Sequence, residues 1–155
     1  VEALTTTIMP RLFRAGAGRP LPVRTTLLLV VAVLAYGLVA GRLVGLAVPL
    51  VPVLLGEGFG GLAPLVALFG WWLPAYCLRT LLGNMLLGHG RKRARISAEL
   101  SGLVVLVTLV LWWVPGAGLA GAMKALLVAE WWIACVSLML VVWAATGRSA
   151  GTGTA

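Results

Sequence analysis

A chain of 155 residues that is 61% hydrophobic and only 10% charged, with a mean hydropathy of +1.07, has more apolar surface than a water-soluble domain of this size can hide. The formal net charge of +8 does not argue for nucleic acid, because the basic residues cluster in segments flanking apolar runs. There the positive-inside bias and an anionic leaflet account for them. The class that remains is an all-α integral membrane bundle, and no nucleic-acid partner is expected.

Residues 1–24 read as a cytoplasmic or interfacial segment. Leu4, Ile8, Leu12 and Phe13 recur at helical spacing beside Arg11 and Arg14, which predicts a short amphipathic helix. Arg19 and Arg24, around Pro20 and Pro22, form a basic break on the same side of the membrane. No early apolar core of a signal peptide is evident. A first span is expected over about 25–55, too long for one straight crossing and bent at Pro49 and Pro52. Within it Gly37, Gly41 and Gly45 make a small-residue stripe on which a neighbouring helix can pack closely. The following GEGFGG turn carries Glu57 and no base, which places it outside.

The second span is expected over about 62–87, with Pro64 in its first turn and Pro74 as a kink. Tyr76, Thr80 and Asn84 recur every fourth residue, so they line one face as a polar stripe directed at protein or water. The loop GHGRKRARISAE then carries Arg91, Lys92, Arg93 and Arg95, and its charge holds it in the cytoplasm. Ser97 is the expected cap of a third span, about 97–114, with Glu99 in its first turn. Trp112 and Trp113 fall at an outer aromatic belt, Pro115 to Gly118 form a tight outer turn, and a fourth span covers about 119–145. Trp143 marks its inner interface, and residues 147–155 are a cytoplasmic tail. The 25–146 region is thus expected to be a four-span domain with both termini cytoplasmic, in the plasma (inner) membrane.

The residues that stand out chemically are the charges within spans: Arg42, Arg79, Lys124 and Glu130. Each costs about 2.5–3.5 kcal/mol at the centre of an isolated helix, so each asks for a partner or a task. Arg79 and Glu130 fall nearest the middle and are positioned to pair, either to lock the bundle or to serve a ligand. Lys124 is close enough to the outer end to snorkel. Trp131 and Trp132 lie too deep for a belt position and suit core packing or a cavity wall. His89 reads as a solvated loop residue, and Cys77 and Cys135 as packing residues without metal or disulfide spacing. Asp is absent from the chain, and paired carboxylates, a P-loop, HExxH and GxSxG are all missing. No metal, cofactor or enzymatic activity is expected.

Two stretches carry a family resemblance: PLVPVLLGEGFGGLAPLVALFGWWLPAYCLRTLLGNMLLGHGRKRARI and WWVPGAGLAGAMKALLVAEW, preceded by MPRLFRA. Their order is a proline-broken span, a G-E-x-F turn, a helix ending in a small-residue and basic loop, then a Pro-Gly turn leading into G-x-x-G-A. It resembles the C-terminal portion of the polysaccharide-biosynthesis flippases of the multidrug/oligosaccharidyl-lipid/polysaccharide exporter superfamily. The resemblance covers about Met9 to Val142. It implies a two-lobe exporter of lipid-linked saccharides of which this chain holds only part, with membrane lipids and a missing N-terminal lobe as partners. On that reading Arg79 and Arg42 offer positive charge to a lipid pyrophosphate, and Glu130 holds Arg79 in place. Two other readings stay open. One is a small homo-oligomeric four-span transporter with Glu130 as its coupling carboxylate. The other is a non-transporting structural or interaction subunit docked through the Gly37/Gly41/Gly45 stripe.

Overall fold

The computed structural model describes residues 23–146, and all the secondary structure in them is helical. The expected amphipathic N-terminal helix and the tail at 147–155 lie outside the described residues. α1 is Val23–Ala47, α2 is Leu50–Leu55, a 3₁₀ segment follows at Glu57–Leu62, α3 is Ala63–Gly88 and α4 is Lys92–Thr146. Three of these, α1, α3 and α4, are long and apolar enough to cross a membrane. The chain therefore has the helices of a membrane protein.

α1 is built from Leu, Val, Ala and Gly without a proline, so nothing interrupts its hydrogen-bond ladder until Val48 and Pro49 turn the chain. The expected single bent span over 25–55 is accordingly two helices, with α2 a separate six-residue piece. Gly56 ends α2 at φ 97°, and its N–H closes on the Pro52 carbonyl at 2.9 Å. α3 then runs 26 residues with Pro64 in its first turn and Pro74 buried inside it.

The connection from α3 to α4 is shorter than the expected basic loop. Gly90, at φ 72°, donates to the Leu87 carbonyl, and Arg91 N–H donates to the Leu86 carbonyl, both at 2.9 Å. This 5→2 and 6→1 pair is a Schellman stop, which satisfies the last carbonyls of α3 within three residues. Only His89, Gly90 and Arg91 stand between the helices, and Lys92, Arg93 and Arg95 lie in the first turn of α4. The expected start at Ser97 is therefore corrected. Ser97 is inside the helix, and its hydroxyl donates back to the Ala94 carbonyl at 2.9 Å instead of capping.

α4 spans 55 residues, but Gly118 interrupts it at φ 54°, ψ −134°. The contacts on either side show that it doubles back there. Trp132 Nε1 donates to Ser101 Oγ at 3.2 Å, Gly102 lies against the side chain of Ile133, and Gly121 lies against the Trp113 carbonyl. These pairs share one midpoint near residue 117, the signature of two antiparallel arms. The two arms are therefore two helices joined at Gly118, as the sequence leads one to expect of this region, and a single glycine at positive φ suffices for the turn. Pro115, Gly116 and Ala117 remain helical rather than forming the expected loop.

α3 is the central element, packed against α1 on one side and α4 on the other. Gly37 meets Pro74 and Gly41 meets Gly70, so α1 and α3 run antiparallel. The apolar core gathers Val30 of α1, Leu78, Leu81, Leu82, Met85 and Leu86 of α3, and Ala134 and Val141 of α4. These residues lie in the half of the bundle nearest the α3–α4 connection. Outward, large apolar side chains stay uncovered, among them Leu46 at 74%, Leu111 at 72% and Met139 at 72% exposed. A surface of that kind suits lipid and not water.

Candidate functional site

The antiparallel pairing of α3 with the first arm of α4 turns about His89 and sets Arg79 opposite Glu99. The second arm brings Glu130 to the same place. Arg79 Nη1 donates to Glu130 Oε1 at 2.7 Å, Nε donates to Glu99 Oε1 at 3.3 Å, and Nη2 pairs with Glu99 Oε2. One guanidinium thus takes Glu99 through a two-bond fork and uses another N–H for Glu130, a geometry that lysine cannot reproduce. The burial is graded. The Glu130 side chain is 7% exposed, against 27% for Arg79 and 33% for Glu99. Glu130 Oε2 is buried with no hydrogen-bond partner.

Two carboxylates on one arginine leave a local excess of negative charge, and the next turn supplies a base. The Arg95 side chain lies across Gly83, whose added Cβ would sit 3.4 Å from Arg95 Nε. Gly83 is one turn from Arg79 on α3, and Arg95 is one turn from Glu99 on α4. The column proper is Arg79, Glu99 and Glu130, between α3 and both arms of α4, and Arg95 lies one turn along without an ion pair to either carboxylate among the described residues. A small residue at 83 is what gives the Arg95 side chain its room.

The polar stripe of α3 is placed differently. Thr80 Oγ1 donates to the Tyr76 carbonyl at 2.8 Å, so its donor is spent on its own helix. The Tyr76 ring stacks on Trp72, which stacks on Phe69, each pair with centroids 4.8 Å apart. Tyr76, Thr80 and Asn84 are all half-buried. Trp131 packs against the apolar core, whereas Trp132 is half exposed and tied to Ser101. Cys77 is buried and Cys135 exposed, so only Cys77 has the packing environment expected of both.

Arg42 and Lys124 are both exposed and neither joins the Arg79 column. Arg42 lines a cleft of about 530 Å³ between α1 and α3, with Leu38, Gly41, Gly45, Gly70 and Trp71. The glycine stripe is divided by use. A Cβ on Gly37 would fall 2.5 Å from Pro74 Cα, and one on Gly41 would strike the Gly70 carbonyl oxygen, while Gly45 has open space. Gly37 and Gly41 are therefore committed to α3 of the same chain and are not available as a docking seam for another protein. Pro74 explains the closest approach. It has no N–H to offer the Gly70 carbonyl four residues earlier, and that oxygen is the atom against which Gly41 lies.

Positions along the helices sort the remaining charges. Arg24, Arg91, Lys92, Arg93 and Arg95 share the end of the bundle at the α3–α4 connection. The Arg91 guanidinium lies 5.2 Å from the centre of the Trp143 ring at that same end. The opposite end, at residues 48–62 and 115–118, has no base. No family model, no curated protein and no solved structure matches this chain.

Glu99 is the member of the column that reading the sequence places elsewhere, as a helix-cap neighbour. Its partner could be found by counting: positions 79 and 99 are equidistant from His89, so any tight hairpin at that residue makes them face each other. Paired carboxylates are absent as a local motif, yet folding creates a pair from residues 31 apart.

Proposed function

We propose that this chain crosses the plasma membrane four times and forms the C-terminal part of a flippase for lipid-linked polysaccharide precursors. The four crossings are α1, α3 and the two arms of α4, with α2 and the 3₁₀ segment at the outer face. Both ends of the described region lie on the cytoplasmic side, where the five bases of the α1 start and the α3–α4 connection collect.

The observation that carries the reading is the Arg79–Glu99–Glu130 column, together with the motif order that resembles the flippases. Charge this deep in a lipid-facing bundle is expensive and is retained where a pathway or a moving seam needs it. The column joins three crossings through one side chain. When two lobes rock about a midplane site, such a junction can open and re-form, with Arg79 released toward an anionic headgroup. Arg42 and Lys124 stand ready as further cations near the outer face.

The test is deletion of the gene for this chain in its host, followed by complementation. Loss of surface polymer with lipid-linked repeat units accumulating on the inner leaflet supports the reading. Normal surface polymer overturns it. A second reading, a non-transporting subunit, is favoured by one observation: each of the three guanidinium nitrogens of Arg79 is already bonded to a carboxylate of the same chain. Complementation by Arg79→Met/Glu99→Gln/Glu130→Gln, which removes the charges together, would favour this second reading, and failure of a stably inserted triple variant would favour the flippase.

A further inference from the structure

A separate feature stands at the other end of the molecule. Arg42 is 18 positions beyond Arg24 on one continuous helix, so about 27 Å separates them along the axis. A bilayer's hydrocarbon core is about 30 Å thick. With Arg24 at one boundary, Arg42 reaches the other. Trp71, 17 positions from the end of α3 at Gly88, lies at the same level by the same count, about 25 Å. An indole and a guanidinium at that depth sit where lipid phosphates are found.

The cleft beside them has the shape for more than a headgroup. Gly41 and Gly70 form a floor from which side chains are missing, Gly45 leaves the upper wall open, and Leu38, Leu46 and Ala67 are apolar. Its volume of about 530 Å³ is within the range of small-molecule sites, about 300–1,000 Å³. Arg42 makes no hydrogen bond or ion pair among the described residues, although its guanidinium carries five N–H donors. An apolar trough ending in one unpaired cation at the phosphate level is complementary to one molecule class.

We infer that this cleft holds one anionic phospholipid, with its phosphate on the Arg42 guanidinium and an acyl chain over the glycine floor. A helix of another protein would have to bury the arginine, and a free phosphate would leave the apolar trough unfilled. The phospholipid satisfies both parts at once. This inference does not depend on the flippase reading.

Native mass spectrometry of the detergent-extracted full chain, titrated with phosphatidylglycerol or phosphatidylcholine, tests it. The wild type retains one phosphatidylglycerol in preference to phosphatidylcholine. Arg42→Gln weakens that retention about tenfold, the loss of one charge-assisted contact. Gly45→Leu puts a side chain into the trough from a position whose Cβ meets no atom within 4 Å, so it abolishes retention while the thermal unfolding midpoint does not fall. Lys92→Gln, at the opposite end, leaves retention unchanged and controls for net charge. Equal retention by Arg42→Gln and wild type, retention by Gly45→Leu, equal weakening by Lys92→Gln, or no preference for phosphatidylglycerol would each overturn the inference.

Discussion

The fold-back of α4 at Gly118 can be tested with one engineered bond. In a background with Cys77→Ala and Cys135→Ala, Gly102→Cys and Ile133→Cys introduce two thiols 31 positions apart. A Cβ built on Gly102 lies 3.6 Å from Ile133 Cβ, inside the window of about 3.5–4.5 Å in which disulfides form. The substitution also removes the Ile133 Cγ1 and Cδ1 atoms that crowd any side chain at 102. If α4 were one straight helix, the same positions would be about 46 Å apart at 1.5 Å per residue, beyond any side-chain reach. Oxidation should therefore close an intramolecular bond, seen as a loss of two titratable thiols and a faster band on a non-reducing gel, independent of protein concentration. Closing a loop of this length should raise stability toward unfolding by about 3–4 kcal/mol in the chain-entropy account. Two free thiols after oxidation, in a variant that inserts and melts like its parent, would refute the antiparallel arms and the four-crossing topology with them.

The glycine stripe should respond with opposite signs at neighbouring positions. Gly41→Ala, whose methyl would strike a backbone carbonyl that cannot swing away, should lower stability in detergent by about 1–3 kcal/mol. Gly45→Ala, which meets nothing and gains helix propensity, should raise it by about 0.5–1 kcal/mol; thermal unfolding followed by circular dichroism separates the two. Arg79→Ala should destabilise the bundle by about 3–5 kcal/mol, because it leaves Glu99 and Glu130 facing each other without their shared cation. Removing all three charges together, as Arg79→Met/Glu99→Gln/Glu130→Gln, should recover most of that loss in the same assay.

What could be read from the sequence divides along physical lines. Apolar runs, the bend at Pro49 and the basic cluster at 91–95 depend on local composition, and local composition is visible in a single chain. The pairing of Arg79 with Glu130 was a matter of depth: two charges that cannot face lipid are pressed toward each other. Glu99 escaped because its nearness to the basic segment suggested a helix start, and the Schellman stop at Gly90 moved the real start five residues earlier. Seven residues into α4 instead of in its first turn, Glu99 faces α3 and has Arg79 opposite. The cleft at Arg42 was out of reach for another reason. A stripe of three glycines predicts close packing at all three, and only the geometry of α3, with Pro74 and Gly70 beneath Gly37 and Gly41, leaves the third uncovered.

These placements divide the two seams that α3 makes, with α1 and with α4, by chemistry. The α1–α3 seam is made by close backbone approach: glycine meets proline and glycine, and Arg42 stands exposed in the cleft beside it. The α3–α4 seam sets the Arg79 ion pairs beside the apolar core that Leu78, Leu82 and Met85 make with Ala134 and Val141. In lipid the two kinds of contact respond differently to strain. Small-residue packing is lost steeply with separation, since dispersion fades within an ångström, whereas long arginine and glutamate side chains can follow each other as helices slide. A bundle assembled this way would keep α1 and α3 together as one body and concentrate movement between α3 and the two arms of α4. That movement would be centred on Arg79, the side chain whose three partnered nitrogens span all the elements that shift.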